Sequence, residues 1–197
     1  MLSKEAVKIF KVIQRIMGDR DRDRSVGVRL PSDNYVSTVP PVHNGSTTSL
    51  PSSLVSVLEE ERWLLAEGLA HGELRDEIYC QLMKQLSGNP NPSVFFSALM
   101  ACVLISPYAC RESVFRGMQL FCVLLVTFPP SKNFETYLES YMQQKTTQQQ
   151  GRVDVMAKYC LRRLAFITKK GPRGKPPSIA EIETASVSQV TDALFVN

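Results

Sequence analysis

The sequence predicts an all-α fold, a compact multi-helix bundle with a long mobile loop near the N-terminus. Apolar residues recur at spacings of three and four along most of the chain, which is the period of amphipathic helices. No segment alternates apolar and polar residues between turn signals, as a half-buried strand would. The 197 residues, 44% hydrophobic and 21% charged, are enough for one domain with its own core.

The chain opens with a predicted amphipathic helix over residues 4–17. Its apolar residues fall on one face, and Gly18 can end it in a left-handed conformation. The stretch Ser25–Ser53 is rich in Ser, Thr, Pro, Gly and Asn and has few large apolar residues. We therefore expect a mobile, disordered insertion there.

Four helices are predicted in the middle of the chain. The first starts after Ser52 or Ser53 and runs to about Leu69, and the others run from Glu73 to Leu86, from Ser93 to Ile105 and from Arg111 to Thr127. His71-Gly72 separates the first two, and the Gly/Pro-rich segment 88–92 ends the second. The third is apolar on all sides, which favours a buried helix over a strand.

Two further helices are predicted over Asn133–Met142 and Arg152–Thr168, joined by a polar loop over Gln143–Gly151. The second has the clearest period in the chain, and its Leu161 is expected in the core together with Tyr79 and Leu82. A capping box, Ser178-Ile179-Ala180-Glu181, starts a last short helix. We expect one domain over residues 1–184 and a C-terminal tail over 185–197.

The net charge of +4 is unevenly distributed along the chain. Residues 151–177 carry eight basic side chains against Asp154 alone, a net charge of +7. Such a concentration indicates a local acidic partner. The expected basic surface consists of Lys158, Arg162, Arg163, Lys169, Lys170, Arg173 and Lys175.

Several groups suggest chemistry that the surrounding pattern does not support. Asp19, Asp21 and Asp23 match the start of a calcium loop, but its glycine and final glutamate are missing. His71 stands near carboxylates without a candidate nucleophile or oxyanion donor. The five cysteines form no CxxC pair, so we expect buried free thiols and no metal site. With no phosphate loop or dinucleotide motif, we expect a non-enzyme without cofactors.

The apolar runs of the chain are too short for a membrane span. The longest, Val94–Ile105 and Leu120–Pro130, fall below the roughly 20 residues that a span needs. The N-terminal stretch is amphipathic and charged throughout, unlike a secretory signal. We therefore expect a cytoplasmic protein.

One string in the third predicted helix is distinctive. It reads Leu74-Arg75-Asp76-Glu77-Ile78-Tyr79-Cys80-Gln81-Leu82-Met83-Lys84-Gln85. It resembles the signature of the myosin tail homology 4 domain, a helical module of unconventional myosins, a plant kinesin and some Rho GTPase-activating proteins. Further matches stand in the family's order at Ala6–Arg20, Arg116–Leu120, Phe128–Lys132, Tyr159–Leu164 and Pro177–Ile182. The resemblance spans most of residues 4–184, although Met118 stands where the family usually has Trp.

The resemblance implies that the polar and proline residues of these motifs support the fold, with direct partner contact as the alternative. They are Arg75, Asp76, Glu77, Tyr79, Gln81, Lys84, Gln85, Pro129 and Pro130. Acidic residues at a helix start complement its dipole, and Arg75 can pair with a neighbouring segment. Gln81, Lys84 and Gln85 lie off the apolar stripe, so we expect them to be exposed.

The resemblance also implies a function. Similar domains bind microtubules, often beside a FERM domain, which implies a non-catalytic, cytoskeleton-associated adaptor. Its basic surface would contact tubulin or another acidic protein surface, unless that surface is only a solvated helix face. The alternative is an adaptor domain of a Rho GTPase-activating signalling protein whose catalytic domain is absent from this chain. Nucleic acid fits less well, because the isoelectric point of 8.8 is modest and the basic segment lacks interleaved exposed aromatic residues.

Overall fold

The computed structural model describes residues 2–20, 52–87, 108–148 and 152–185. Every regular element in these ranges is helical, which confirms the predicted all-α class. The predicted insertion lies outside the described residues except for Ser52 and Ser53, which begin a helix. The apolar run over residues 93–105 also lies outside them.

Seven α-helices and one 3-10 turn make up the described part of the chain. They are α1 (Leu2–Met17), α2 (Ser52–Ala70), the 3-10 turn (Gly72–Leu74), α3 (Arg75–Leu86), α4 (Tyr108–Thr127), α5 (Lys132–Gln148), α6 (Arg152–Lys170) and α7 (residues 179–185). As predicted, α1 ends at a left-handed glycine, Gly18, with φ of 81°. Gly171 ends α6 in the same way, with φ of 82°.

The fifth helix differs most from its prediction. It continues past Met142 to Gln148, so the expected loop over Gln143–Gly151 is wrong for its first six residues. A buried contact accounts for this extension, because the Nζ of Lys145 donates a hydrogen bond of 3.3 Å to the carbonyl oxygen of Leu86. The lysine thereby satisfies a carbonyl at the end of α3 that has no partner within its own helix.

The core lies around α3, which packs against α1, α2, α4 and α5, while α6 packs against α4 and α5. Tyr79 stacks on Phe121 and meets Phe128 edge-on, with ring centroids 6.0 and 5.9 Å apart. Tyr79 and Leu82 are fully buried as expected, but Leu161 is only partly buried. Leu161 lies at the margin of the apolar face of α6, so it packs against the core from one side.

A close approach between α2 and Phe128 depends on glycine. A Cβ atom at Gly68 would lie 2.3 Å from Cζ of Phe128, well inside van der Waals contact. The absence of a side chain at Gly68 therefore lets the buried Phe128 ring rest directly against the backbone of α2.

Candidate functional site

The first residues of α3 bind the ends of two other helices. The Nε of Arg75 donates a hydrogen bond of 2.7 Å to the carbonyl oxygen of Gly68, near the end of α2. The carboxylate of Asp76 accepts hydrogen bonds of 2.7 and 2.5 Å from the backbone N–H and the hydroxyl of Ser131. Ser131 in turn caps α5, since its Oγ accepts the N–H of Phe134 at 3.3 Å.

Polar side chains from the rest of α3 reach α1 and the segment after α4. The hydroxyl of Tyr79 donates a 2.6 Å hydrogen bond to the carbonyl oxygen of Phe128, and burial raises the pKa of this phenol well above its usual value. The amide of Gln81 donates to the carbonyl oxygen of Ala6 at 3.0 Å. The amide of Gln85 donates to Asp19 at 2.7 Å.

Two of the three polar side chains expected on the surface of α3 are buried. Gln81 and Gln85 are less than a tenth exposed, whereas Lys84 is exposed as expected. The expectation was wrong because both glutamines border the apolar stripe and point toward α1 and the turn after it. There they bind a backbone carbonyl and a carboxylate. Glu77 accepts a second bond, of 2.6 Å, from the Gln81 amide.

Asp19 and the two prolines complete the contacts of the signature residues. Asp19 also accepts a hydrogen bond of 2.7 Å from Ser113, so its carboxylate joins α3 to α4. Pro129 and Pro130 lie between α4 and the Ser131 cap, with Pro130 buried. The signature side chains are thus largely engaged in contacts within the domain, and of these residues Lys84 is left on the surface.

The basic residues of α6 form a row on its outer face. Lys158, Arg162, Phe166 and Lys170 follow one another at intervals of four residues, which places them side by side along the helix. All four are exposed, as is Lys169, while Arg163 is half-buried beside the row. The apolar face of α6, which carries Met156, Cys160, Leu164 and Ile167, is turned the opposite way, into the core.

Ion pairs neutralise two of the seven predicted basic residues. Lys158 pairs with Asp154 at 3.1 Å, and Arg173 pairs with Glu181 at 3.0 Å. Five cations remain that pair with no carboxylate in the described part of the chain: Arg162, Arg163, Lys169, Lys170 and Lys175. These five cations form the basic surface.

Arg173 belongs instead to the connection between α6 and α7. Its backbone N–H donates to the carbonyl oxygen of Thr127 at 2.8 Å. Glu181 accepts the N–H of Ser178 at 2.7 Å while its own N–H donates to the Ser178 hydroxyl at 3.2 Å, as the predicted capping box requires. The N–H of Ser178 and the guanidinium of Arg173 lower the pKa of Glu181 to about 2.

Phe166 was not identified by the sequence analysis. Its side chain is 48% exposed in the middle of the basic row, contrary to the expectation that this segment lacks exposed aromatic residues. The guanidinium of Arg163 lies 4.9 Å and the ammonium of Lys170 5.5 Å from the ring centroid. The spacing of Phe166 with the cations, off the apolar face of α6, is the sequence signal that could have revealed it.

One group that could support other chemistry, the exposed His71, lies 3.9 Å from a carboxylate oxygen of Glu67 and of Glu73. Within the four described ranges no three His, Cys, Asp or Glu side chains come together as metal ligands would. Cys122 and Cys160 are buried free thiols with Sγ atoms 3.5 Å apart, and burial raises the pKa of Cys160 well above its usual value. Of the helices described, none has the length and apolarity required to cross a bilayer.

Comparison with known proteins matches the chain to one family. A family model described as the MyTH4 domain, for myosin tail homology 4, matches residues 62–184. Myosin-VIIa of Drosophila melanogaster is 29% identical over 155 residues, which are 79% of this chain and 6% of that protein. The high molecular weight form of myosin-1 of Acanthamoeba castellanii is 39% identical over 82 residues, 42% of this chain and 4% of that protein.

Solved structures show the same fold. The C-terminal MyTH4-FERM domain of human myosin 7b, in complex with the harmonin-a PDZ3 domain, is 27% identical with a TM-score of 0.57. That match covers 92% of this chain and 27% of the solved one. The MyTH4-FERM MF1 domain of Dictyostelium discoideum myosin VII is 24% identical with a TM-score of 0.61, covering 93% and 28%. The chain thus spans a small part of the myosins and about a quarter of the solved chains that it matches.

Proposed function

This chain belongs to the MyTH4 domain family, and we propose that it is a non-catalytic cytoskeletal adaptor module that contacts microtubules through the basic surface. MyTH4 domains are binding domains of myosin tails, so membership in this family supports a cytoskeletal role. Contact with microtubules is the more specific claim of the proposal. The observation that carries it is the set of cations on α6 and the loop after it that pair with no carboxylate among the described residues.

The charge distribution favours an acidic protein surface as the partner. Lys169 and Lys170 are exposed at the end of α6, and Lys175 is exposed on the following loop. Single exposed charges contribute little to affinity, but a cluster attracts an acidic surface over distance and raises the association rate. The signature residues of α3 are largely engaged inside the domain, which leaves α6 as the better candidate for partner contact.

The surrounding protein is proposed as well. We propose that residues 1–184 form one domain, that 185–197 are a tail, and that the chain acts in a cytoplasmic, cytoskeleton-associated protein. A FERM domain is the proposed neighbour, because the matched solved chains carry one beside their MyTH4 domain. A Rho GTPase-activating unit in a longer protein is the alternative. The myosin relatives favour the cytoskeletal function over that alternative.

Co-sedimentation with microtubules tests the proposal. The triple variant Arg162→Glu, Lys169→Glu and Lys170→Glu reverses three cations of the basic surface and should abolish pelleting at low salt. A matched control, Lys4→Glu, Lys11→Glu and Lys132→Glu, changes the net charge by the same amount at exposed positions of α1 and α5. It should pellet almost as the unmodified protein does. Circular dichroism should show unchanged helicity in both variants.

The pelleting results distinguish binding through the basic surface from a general effect of net charge and from no binding at all. Pelleting of the unmodified protein should weaken as salt shortens the Debye length from about 10 Å at 0.1 M toward 3 Å at 1 M. Failure of the unmodified protein to pellet at low salt contradicts the microtubule proposal. Equal loss in both triple variants would mean that net charge, and not the basic surface, governs the interaction.

A further inference from the structure

We propose that Phe166 is an apolar anchor within the basic surface, and that the partner segment carries an apolar side chain between two carboxylates. This inference rests on the proposed function, because it specifies the chemistry of the acidic partner. Phe166 is the one large apolar side chain exposed on the described part of α6. Large aromatic side chains at the centre of an interface often dominate its binding energy.

The residues around Phe166 support a role for its exposed ring in binding a partner. Arg163 and Lys170 lie 4.9 and 5.5 Å from its ring, and Arg162 precedes it by one helical turn. The Nε of Arg163 is shielded from solvent and has no acceptor in the described ranges. The ring thus lies beside cations that pair with no carboxylate in the part of the chain that the structure describes. A purely polyanionic partner would satisfy these cations and leave the ring in water, whereas a partner with an apolar side chain would bury both.

Helix geometry specifies the spacing of the partner's side chains. Arg162 and Lys170 lie four residues before and after Phe166, and each step of four residues is about 6 Å along the helix. In an extended segment, side chains two residues apart point to the same side and lie about 6.6 Å apart. The partner motif is therefore acidic–x–apolar–x–acidic in extended conformation, with its apolar side chain against the Phe166 ring.

Synthetic peptides test this chemistry without microtubules. The first probe contains Glu-Ser-Phe-Ser-Glu, and a second of identical composition contains Glu-Phe-Ser-Ser-Glu, which places the phenylalanine on the face opposite the first glutamate. Fluorescence anisotropy at low salt should show the first peptide binding about fivefold to tenfold more tightly, as expected for burial of about half a phenylalanine side chain. Both peptides are measured against the same whole chain, so a difference in affinity cannot come from a difference in the protein's fold.

Three variants test whether Phe166 causes the preference for the first peptide. Phe166→Ser should bind both peptides equally, whereas Phe166→Leu should keep most of the preference. Tyr137→Ser should leave the preference unchanged. Tyr137 is a matched control because it is 69% exposed on α5 and its aromatic neighbour is Phe134. In microtubule pelleting, Phe166→Ser should weaken binding at every salt concentration without changing the salt dependence.

The outcomes distinguish failure of the Phe166 anchor from failure of the microtubule proposal. Equal binding of the two peptides to the unmodified protein would do so, even if microtubules pellet and the basic surface stands. Tighter binding of a single-stranded oligothymidine, lost in Phe166→Ser, would instead identify base stacking and a nucleic-acid partner. A peptide preference in a protein that does not pellet with microtubules would retain the anchor and reject the microtubule proposal.

Discussion

The hydroxyl of Tyr79 donates a hydrogen bond of 2.6 Å to the backbone carbonyl oxygen of Phe128, across 49 residues of chain. Both side chains are fully buried, and their rings meet edge-on. The carbonyl belongs to the residue that follows the last turn of α4, where backbone acceptors have no partner within the helix. Tyr79 therefore supplies both aromatic packing and the polar partner of a helix end.

The variant Tyr79→Phe should reduce the free energy of unfolding by about 1–3 kcal/mol, because it leaves a buried carbonyl oxygen without a donor. Chemical denaturation followed by circular dichroism measures the change. Tyr137→Phe removes the same hydroxyl from an exposed ring and should change stability by less than about 0.5 kcal/mol. Equal effects of the two variants would show that the Phe128 contact does not stabilise the fold.

The variant Gln85→Ala should destabilise the domain by about 1.5–3 kcal/mol, the range for a hydrogen bond to a charged group. It removes the 2.7 Å bond to Asp19, whose carboxylate also accepts a hydrogen bond from Ser113. Lys84→Ala is the adjacent control on the exposed side of α3, and we expect little change there. The prediction fails if urea midpoints of the two variants coincide.

The variant Gly68→Ala should destabilise the domain by about 1–3 kcal/mol through overpacking against Phe128. The better helix propensity of alanine opposes this loss by up to about 1 kcal/mol. Gly174→Ala meets nothing within 4 Å and serves as the control. In thermal unfolding, the double variant Gly68→Ala with Phe128→Leu should regain part of the stability that Phe128→Leu alone loses. No stability would be regained if the Phe128 ring were not what a side chain at position 68 meets.

Glu61 should make stability depend on pH. Burial raises the pKa of its carboxyl from 4.5 to about 7, so the folded protein holds a proton that the unfolded chain releases. This contribution to stability is fully present below about pH 4.5 and is lost as the pH rises through 7. The difference corresponds to about 3 kcal/mol, since each pKa unit is worth 1.36 kcal/mol.

Unfolding experiments between pH 4.5 and 8 measure this effect. The variant Glu61→Gln should show a smaller loss of stability over that range than the unmodified protein. Glu139→Gln replaces an exposed carboxyl on α5 and is the control for the loss of one negative charge. Parallel pH profiles for the unmodified protein and Glu61→Gln would rule out Glu61 as the titrating group.

The hydrophobic period predicted the helices well where one face is clearly apolar, as in α6. It failed where a polar side chain has a specific partner that local sequence does not reveal. Gln85 follows the pattern of an exposed residue, yet its partner is Asp19, 66 residues away. The polar end of α5 was predicted as a loop for the same reason, since Lys145 binds Leu86 across 59 residues.

The candidate site was predicted in part. Charge counting located the basic segment, but it could not show that Asp154 and Glu181 neutralise two of its cations. It also passed over Phe166, because a phenylalanine within an apolar-rich helix is ordinarily assigned to the core. Only the position of the residue relative to the buried face of α6 distinguishes these cases.

The polar contacts of α3 bear on how fast this domain folds. Gln81, Gln85 and Asp76 each bind a residue 55 to 75 positions away, although α3 itself is a short local element. Folding rates fall as the mean sequence separation of native contacts rises, because the entropy of closing long loops is lost before the contacts form. We therefore expect this helical domain to fold more slowly than bundles in which each helix packs mainly against its neighbour in sequence.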